Sequence, residues 1–340
     1  MAVAALSAHG QSRSKAPGQI ESITGTGSTT AFPAMVKWID SYRKVSGVTV
    51  DYQSLGSGAG INQIQAKTVD FGLGAALDFD SLRRLELVQW PIAVSGIEPV
   101  INLPGITREA LKLDGQVLAD IYLGKIKKWN DRAVRALNPE LTLPNLDVHP
   151  VHWSNGSSTT SAFTAYLSAA STEWRVRAGT NSSIQWPAST GAKSNEGVTA
   201  AVIQKPGAIG YVDHRFANDN RLTTALIANQ NGKFIKPDKD TLAKCVLMFG
   251  VDKGPPPPQL SLGRGDAAAI CDVQFVFIHE VSRDPRRTAA VLAFFDWVLT
   301  HGAEAASQAH LGAVPAEVAV RIRGLWSRQL RGENGQQVYP

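Results

Sequence analysis

Residues 20–76 contain the pattern that decides the fold: IESITGTGSTTAFPAMVKWIDSYRKVSGVTVDYQSLGSGAGINQIQAKTVDFGLGAA. Short apolar runs alternate with amphipathic segments, which is typical of an α/β protein. The predicted strands cover 20–24, 48–53 and 69–72, and the predicted helices cover 32–45 and 61–66. Each strand leads into a loop of small and hydroxyl residues, at 25–30, 56–60 and 72–76. Since ligands on open α/β sheets bind beyond the carboxyl ends of strands, the three loops predict one rim of a binding site.

The same alternation resumes further along the chain and predicts a second α/β body. Residues 91–103 are rich in strand-forming residues without an intervening helix, which suits an extended connection between two lobes. Helix, strand and helix then follow at 117–125, 148–153 and 157–169. The junction NGSSTT at 155–160 begins a helix, where free N–H groups favour an anion, although serine and threonine are also ordinary N-caps.

Length and composition exclude several classes of protein. A chain of 340 residues is too long for one ordinary hydrophobic core and favours two lobes. It contains no apolar stretch long enough to span a membrane. Its formal charge of +5 comes from scattered basic residues without an aromatic platform, so we expect no nucleic-acid partner. Residues 1–21 are typical of the remainder of a secretory signal followed by a polar, disordered lead-in, which implies export.

Cys245 and Cys271 are the two cysteines of the chain. In an oxidising compartment they can form a disulfide, and otherwise they are two buried free thiols. Neither belongs to a CxxC motif, and the histidines have no ligand-like partners. His149 and His152 flank Pro150, which forbids a helix between them, and in a strand they would point to opposite faces. We therefore predict neither a metal nor a cofactor.

No catalytic motif is present. The chain lacks a G-x-S-x-G nucleophile elbow and a Walker sequence, and the loop GSGAG at 56–60 only weakly imitates a dinucleotide-binding fingerprint. A hydrolase using one of the serines is a third hypothesis, but the sequence supplies no base for it. We therefore predict that the protein is not an enzyme.

The loops belong to a longer series of collinear motifs that resembles the phosphate-specific solute-binding proteins of ABC importers. The resemblance extends from about residue 22 to the C-terminus. Its motifs are TGTGSTT at 24–30 followed by Lys37-Trp38, YQSLGSG at 52–58, VDFG at 69–72, NLPG at 102–105, LGKIKKW at 123–129, NP at 138–139 through LP at 143–144, GAKSNEG at 191–197, PGAIGYV at 206–212 and FFDW at 294–297.

This resemblance implies a two-lobed periplasmic-binding-protein type II fold with an interlobe cleft and a hinge of two crossings. Lobe I would comprise residues 22–104 plus 271–340, and lobe II residues 105–270. Binding of phosphate or another oxyanion would close the hinge, and the closed form would dock on an ABC permease. We expect a periplasmic or secreted monomer.

The resemblance also implies six ligand-binding positions with neutral hydroxyl or N–H donors. Thr29 and Thr30 correspond to the family's first loop, Thr30 replacing an aromatic residue that contributes its backbone N–H. Ser57 corresponds to the hydroxyl of the second loop. Ser157, Ser158 and Thr159 correspond to a triplet at a helix start in lobe II, with Ser158 in the place of the usual glycine.

Three charged positions of the family are replaced in this chain. Ala75 stands where an aspartate accepts a proton from phosphate, Trp153 where an arginine pairs with the anion, and Asn155 where a second aspartate orients that arginine. A charge-assisted hydrogen bond contributes about 1.5–3 kcal/mol, so loss of the arginine alone predicts roughly tenfold to hundredfold weaker binding. The expected result is altered or weakened phosphate selectivity, with tolerance for a fully ionised oxyanion such as sulfate.

The roles of Trp153 and Lys193 and the function of the protein each have an alternative. Trp153 either stacks on a planar or sugar-like ligand or fills the space that the arginine left, and Lys193 either compensates the lost charge or supports the lobe. The alternative function is that of a repurposed binding protein, which takes a different ligand or acts as a sensor, scaffold or secreted interaction partner without phosphate transport.

Overall fold

A computed structural model describes residues 20–248 and 262–339, so most of the predicted lead-in at 1–21 lies outside the described residues. Strands and helices alternate through most of this part of the chain. The strands are β1 (Ser22–Gly27), β2 (Thr49–Gln53), β3 (Phe71–Gly74), β4 (Leu87–Ile101), β5 (Lys112–Leu113), β6 (His149–Trp153), β7 (Thr190–Ala192), β8 (Ala208–Asp213), β9 (Leu226–Ile227), β10 (Cys271–His279), β11 (Val281–Ser282), β12 (Gly312–Ala313) and β13 (Arg331–Gly332).

The helices are mostly amphipathic and cover the sheet. They are α1 (Phe32–Ser46), α2 (Ser57–Gln65), α3 (Phe79–Leu85), α4 (Gly115–Tyr122), α5 (Arg132–Leu137), α6 (Ser158–Ala170), α7 (Thr172–Arg177), α8 (Ser194–Gln204), α9 (His214–Asp219), α10 (Lys239–Leu247), α11 (Pro285–His301), α12 (Ala303–Gln308) and α13 (Ala316–Gln329). Among the residues placed by the structure, no helix combines the length and the hydropathy needed to cross a membrane.

A mixed sheet runs through the molecule in the order β2-β1-β3-β10-β4-β8-β6-β7. The strands β1, β2 and β3 are parallel to one another, as are β6, β7 and β8. The long strand β4 joins the two groups, because its first part pairs antiparallel with β10 and its last part pairs antiparallel with β8. The predicted extended connection at 91–103 is therefore the greater part of one continuous strand.

The apolar residues form separate cores on either side of this junction. One core contains side chains of β1–β3, the first part of β4, β10 and α11, and the body around it is called lobe I below. The others contain side chains of α4, α6, β6 and β8, and the body around them is called lobe II. The predicted residue boundaries of the lobes stay a prediction. One detail of the packing differs from them, since Leu242 and Val246 of α10 lie in the lobe I core although 105–270 were expected in lobe II.

The two cysteines form a disulfide, which decides the alternative that the sequence left open. Cys245 lies in α10 and Cys271 begins β10, and both are buried in the lobe I core. The bond therefore fastens α10 to the strand that leads from the interlobe junction into lobe I.

The predicted elements near the N-terminus are present, with one informative difference. The second helix begins at Ser57 instead of residue 61. Its N-cap, Gly56, has a φ of +94°, a conformation that glycine adopts without the steric cost other residues incur. The first four residues of this helix are small and do not indicate a helix. The apolar periodicity of the sequence therefore begins only at Ile61.

Candidate functional site

The first two predicted loops are locked together at the carboxyl ends of β1 and β2. Gly27 has a φ of +136°, and a Cβ atom there would lie 1.9 Å from the carbonyl oxygen of Leu73, so the position requires glycine. The N–H of Ser28 donates to that carbonyl at 3.0 Å, and the N–H of Gly56 donates to the carbonyl of Gly27 at 2.8 Å. These bonds hold the segment before α1 beside the start of α2.

A further loop of the site lies in lobe II, between β6 and α6. Ser157 is the N-cap of α6, and its Oγ accepts a hydrogen bond from the N–H of Thr160 at 3.0 Å. The Thr160 hydroxyl is in turn bonded to the Tyr211 hydroxyl of β8 at 2.8 Å. In the described part of the chain, the N–H groups of Ser158 and Thr159 have no hydrogen-bond partner. The side chains of Ser157 and Thr160 therefore fix the first turn of α6, and the N–H groups of Ser158 and Thr159 remain free to donate to a ligand.

These loops line one cavity between the lobes, with a volume of about 720 Å³. The segment before α1 and the first turns of α2 and α6 all open onto it, so helix N-termini from both lobes direct N–H groups and positive dipole ends towards one space. All six predicted ligand-binding residues are among its lining residues: Thr29, Thr30, Ser57, Ser157, Ser158 and Thr159. Such an arrangement is chemically suited to an anion.

The three positions predicted to be altered line the same cavity. Ala75 follows β3 and presents a methyl group. Trp153 packs against the cores of lobe II, and its indole Nε1 donates to the carbonyl of Tyr211 at 3.3 Å. The Asn155 side chain accepts from the N–H of Ser194 at 3.1 Å and so supports the start of α8. Trp153 thus fills space and also forms part of the cavity wall.

Three charged residues of the cavity wall escaped the sequence reasoning. They are Glu196 of α8, Asp213 at the end of β8 and Arg215 of α9. Lys193, the predicted source of a compensating charge, is exposed and is not among the lining residues. The signal for Asp213 and Arg215 was their place immediately after the motif PGAIGYV, whose residues 208–212 lie in β8.

Arg215 and Asp213 each retain free hydrogen-bonding capacity. Arg215 donates from Nη1 to Asp219 at 3.1 Å, while its buried Nε has no partner among the described residues. Asp213 accepts from the N–H of Arg215 through Oδ1, and its buried Oδ2 is likewise without a partner there. Burial raises the pKa of the Asp213 carboxyl, although Ser95, Arg215 and His214 oppose the rise.

A second buried carboxyl, that of Asp272, lies behind the cavity wall. Ser158 donates to its Oδ2 at 2.8 Å, and Gln274 donates to its Oδ1 at 2.7 Å. Burial raises the pKa of Asp272 to about 7; the hydrogen bonds from Ser158 and Gln274 oppose this rise, and the nearby Asp213 adds to it. Within 20–248 and 262–339, no group of three or more His, Cys, Asp or Glu residues is placed to hold a metal ion.

Comparisons with known proteins identify the family of the chain. A family model described as the PBP superfamily domain matches residues 11–300. The chain is 40% identical over 316 residues to the phosphate-binding protein PstS of Haemophilus influenzae, covering 92% of this chain and 95% of that protein. It is 38% identical over 327 residues to PstS of Pasteurella multocida, covering 94% of each.

Solved structures match the fold over most of the chain. A putative phosphate ABC transporter substrate-binding protein from Clostridium perfringens, with bound phosphate, superposes with a TM-score of 0.60 at 18% identity, covering 86% of this chain and 100% of that one. An ABC-type phosphate transport receptor from Vibrio cholerae superposes with a TM-score of 0.57 at 16% identity, covering 85% and 99%. At these identities the likeness concerns the fold alone.

Proposed function

This chain belongs to the PstS family of phosphate-binding proteins within the PBP superfamily, and on that premise we propose that it binds phosphate or a related oxyanion between its lobes. Members of this family are binding components of transporters, so the protein is not an enzyme. The observation that carries the proposal is the convergence of neutral donors from both lobes on one cavity. Thr29, Thr30 and Ser57 contribute from lobe I, and the first turn of α6 contributes from lobe II.

The donors suit an anion because they need no proton transfer to bind it. The free N–H groups of Ser158 and Thr159 stand at the positive end of α6, where an anion is stabilised by the aligned peptide dipoles. The corresponding loop of lobe I brings Ser57, at the first position of α2, onto the same cavity. An oxyanion with several acceptor oxygens can bridge the two lobes through such donors.

The selectivity of this site differs, in our proposal, from that of the family pattern. Ala75, Trp153 and Asn155 leave the usual charged positions without charge. Arg215 instead approaches from α9, and Asp213 and Glu196 add two carboxyls to the wall. Because the sign and the direction of the charges around an oxyanion decide which protonation state is bound, discrimination between phosphate and sulfate is altered or weakened.

The test is isothermal titration calorimetry with phosphate and with sulfate, on protein that has been unfolded, freed of ligand and refolded. We expect the protein to bind both anions. Its preference for phosphate should be smaller than that of a site that keeps the two aspartates and the arginine of the family pattern. Tight binding confined to phosphate contradicts the altered selectivity, and absence of binding to either anion contradicts the oxyanion site. The variant Ser57→Ala removes one of the proposed hydroxyl donors, so we expect it to weaken the binding of both anions without unfolding the protein.

A repurposed binding protein for an organic phosphate is the second candidate, favoured by the size of the cavity and by Trp153 in its wall. Cavities of roughly 300–1,000 Å³ commonly hold organic ligands much larger than a free oxyanion. A sugar phosphate that binds more tightly than inorganic phosphate, with quenching of the Trp153 fluorescence, supports this candidate. Equal quenching in Trp153→Phe argues against contact with the indole.

Transport is the cellular role that follows from the proposal. The protein would be exported to the periplasm or secreted, would collect the anion as a monomer and would deliver it to an ABC permease. Adjacent genes for a permease and an ATPase support this role, whereas a neighbouring secretion or receptor cluster supports the repurposed alternative. Stimulation of the ATPase of the reconstituted transporter by the loaded protein is the direct test.

A further inference from the structure

The contact between Ser158 and Asp272 joins a residue of the cavity wall in lobe II to a buried carboxyl at the interlobe junction. Ser158 is the first residue of α6 and lines the cavity, whereas Asp272 is near the start of β10, opposite Ser95 of β4. The two side chains meet at 2.8 Å although they are 114 residues apart. Asp272 is only 3% exposed, so no water competes freely for its oxygens.

The protonation state of Asp272 decides which way the Ser158 hydroxyl can point. An ionised carboxylate only accepts hydrogen bonds, so Ser158 must give its single hydroxyl hydrogen to Asp272 and turn lone pairs towards the cavity. A protonated carboxyl can donate to Ser158 Oγ instead, which leaves the hydroxyl hydrogen free for a ligand. Gln274 does not take the place of Ser158 in this hydrogen bond, because its amide already donates to the other oxygen of Asp272.

The charges around Asp272 favour the protonated form when an anion is bound. Asp213, at the end of β8, is a second buried carboxyl and repels a negative charge at Asp272. Ser95 of β4, Ser158 of α6 and Gln274 of β10 supply neutral dipoles. The basic side chains that follow Asp213 in the chain already have acidic partners, since Arg215 is paired with Asp219 and His214 is bonded to Glu98.

We propose that Asp272 is a positioning residue that sets oxyanion affinity by orienting the Ser158 hydroxyl, so that anion binding is coupled to the uptake of a proton by Asp272. The inference rests on the proposed function, since it requires an anion in the cavity. The anion binds best when Asp272 is neutral, both because Ser158 then donates to it and because one negative charge near it is removed. Binding therefore weakens as the pH rises through neutrality.

The test compares calorimetric affinities of the wild type and Asp272→Asn from about pH 6 to about pH 8, with sulfate and with phosphate as probes. The affinity of the wild type for sulfate, whose own charge is constant in this range, is expected to fall by about tenfold. Asp272→Asn is expected to show an almost constant affinity for sulfate, because its neutral amide can donate to Ser158 at every pH. Phosphate itself titrates in this pH range, but this affects the wild type and Asp272→Asn equally. The difference between the two proteins in the change of affinity with pH therefore reports on Asp272.

Two further variants separate this coupling from a structural role of Asp272. Ser158→Gly keeps the backbone N–H but removes the hydroxyl, and it is expected to bind more weakly at low pH and to show a reduced pH slope. Asp213→Asn removes the neighbouring negative charge and tests its influence on the titration of Asp272.

Removal of the Asp213 charge lowers the pKa of Asp272, so the affinity of Asp213→Asn is expected to begin falling at a lower pH than that of the wild type. Folding of each variant is checked by circular dichroism, and Ser158→Gly carries the test if Asp272→Asn does not fold. An unchanged pH slope in folded Asp272→Asn overturns the inference while the oxyanion site stands. Absence of sulfate and phosphate binding in the wild type overturns the proposed function, and the inference with it.

Discussion

Arg215 provides the clearest test of how a single residue changes the charge of the site. It is 24% exposed, lines the cavity and has a buried Nε without a partner in the described part of the chain. We expect Arg215→Gln to weaken phosphate binding by about tenfold to a hundredfold, the effect of losing one charge-assisted hydrogen bond. Calorimetry at constant ionic strength measures it.

Lys193→Gln is the matched control for this prediction. It removes the same charge from an exposed position that does not line the cavity, so the affinity should change by less than about twofold. Equal losses in the two variants would show that only the net charge of the protein matters, and that Arg215 does not contact the anion.

Asp272 gives a second prediction, which concerns stability. Its pKa is raised to about 7 in the folded protein from 3.8, so between these values the folded state holds a proton that the unfolded state has released. The contribution of Asp272 to the free energy of unfolding therefore falls as the pH rises from about 4 to about 7. Urea denaturation across this range should show a decline in wild-type stability relative to Asp272→Asn. A constant difference between the two proteins contradicts the raised pKa.

At the scale of residues, the sequence located the neutral donors better than the charges. The six hydroxyl and N–H positions stand next to glycine-rich motifs, and all of them line the cavity, although their binding role stays a prediction. Asp213 and Arg215 follow the motif PGAIGYV but lie outside it, and Asp272 lies in a segment without a motif. Their approach to the cavity depends on the pairing of β8 and β10 with β4, which joins residues more than 100 positions apart and leaves no local pattern.

At the scale of elements, strands and helices with strong apolar periodicity were predicted well. An example is α1, predicted at 32–45 and observed at Phe32–Ser46, whose buried residues recur along its length. The start of α2 was predicted four residues late, because its first turn consists of small residues and depends on the conformation of Gly56. The short helix α9 was not predicted at all, since six residues hold too little periodicity to identify it.

The link between α10 and β10 can be tested at the same scale. The disulfide closes a loop over a sequence separation of 26, which on the loop-entropy model stabilises the folded protein by about 3–4 kcal/mol. Cys245→Ser together with Cys271→Ser should lower the free energy of unfolding by about this amount in urea denaturation. A reducing agent should reproduce the loss in the wild type and leave the double variant unchanged. If reduction has no effect on the wild type, the two thiols are not bonded in solution.

For the whole molecule, the continuity of β4 determines how the lobes can move. Its first part belongs to the lobe I sheet and its last part to the lobe II sheet, and the chain returns to lobe I through the segment that leads into β10. A hinge rotation about such a junction is one of the motions by which two lobes close around a ligand. The cavity lies on this junction, with donors on both sides, so an anion that bonds to Ser57 and to the first turn of α6 favours the closed arrangement.

Ligand-driven closure is therefore the prediction at this scale, and small-angle X-ray scattering measures it. We expect the radius of gyration to decrease when saturating phosphate is added to the refolded, ligand-free protein, because the bound anion stabilises only the arrangement in which both sets of donors reach it. Ser57→Ala serves as the control, since it retains the donors of α6 and should need a higher phosphate concentration for the same decrease. A radius that stays constant while calorimetry reports binding would mean that one lobe holds the anion alone, and that the donors of the other lobe do not take part.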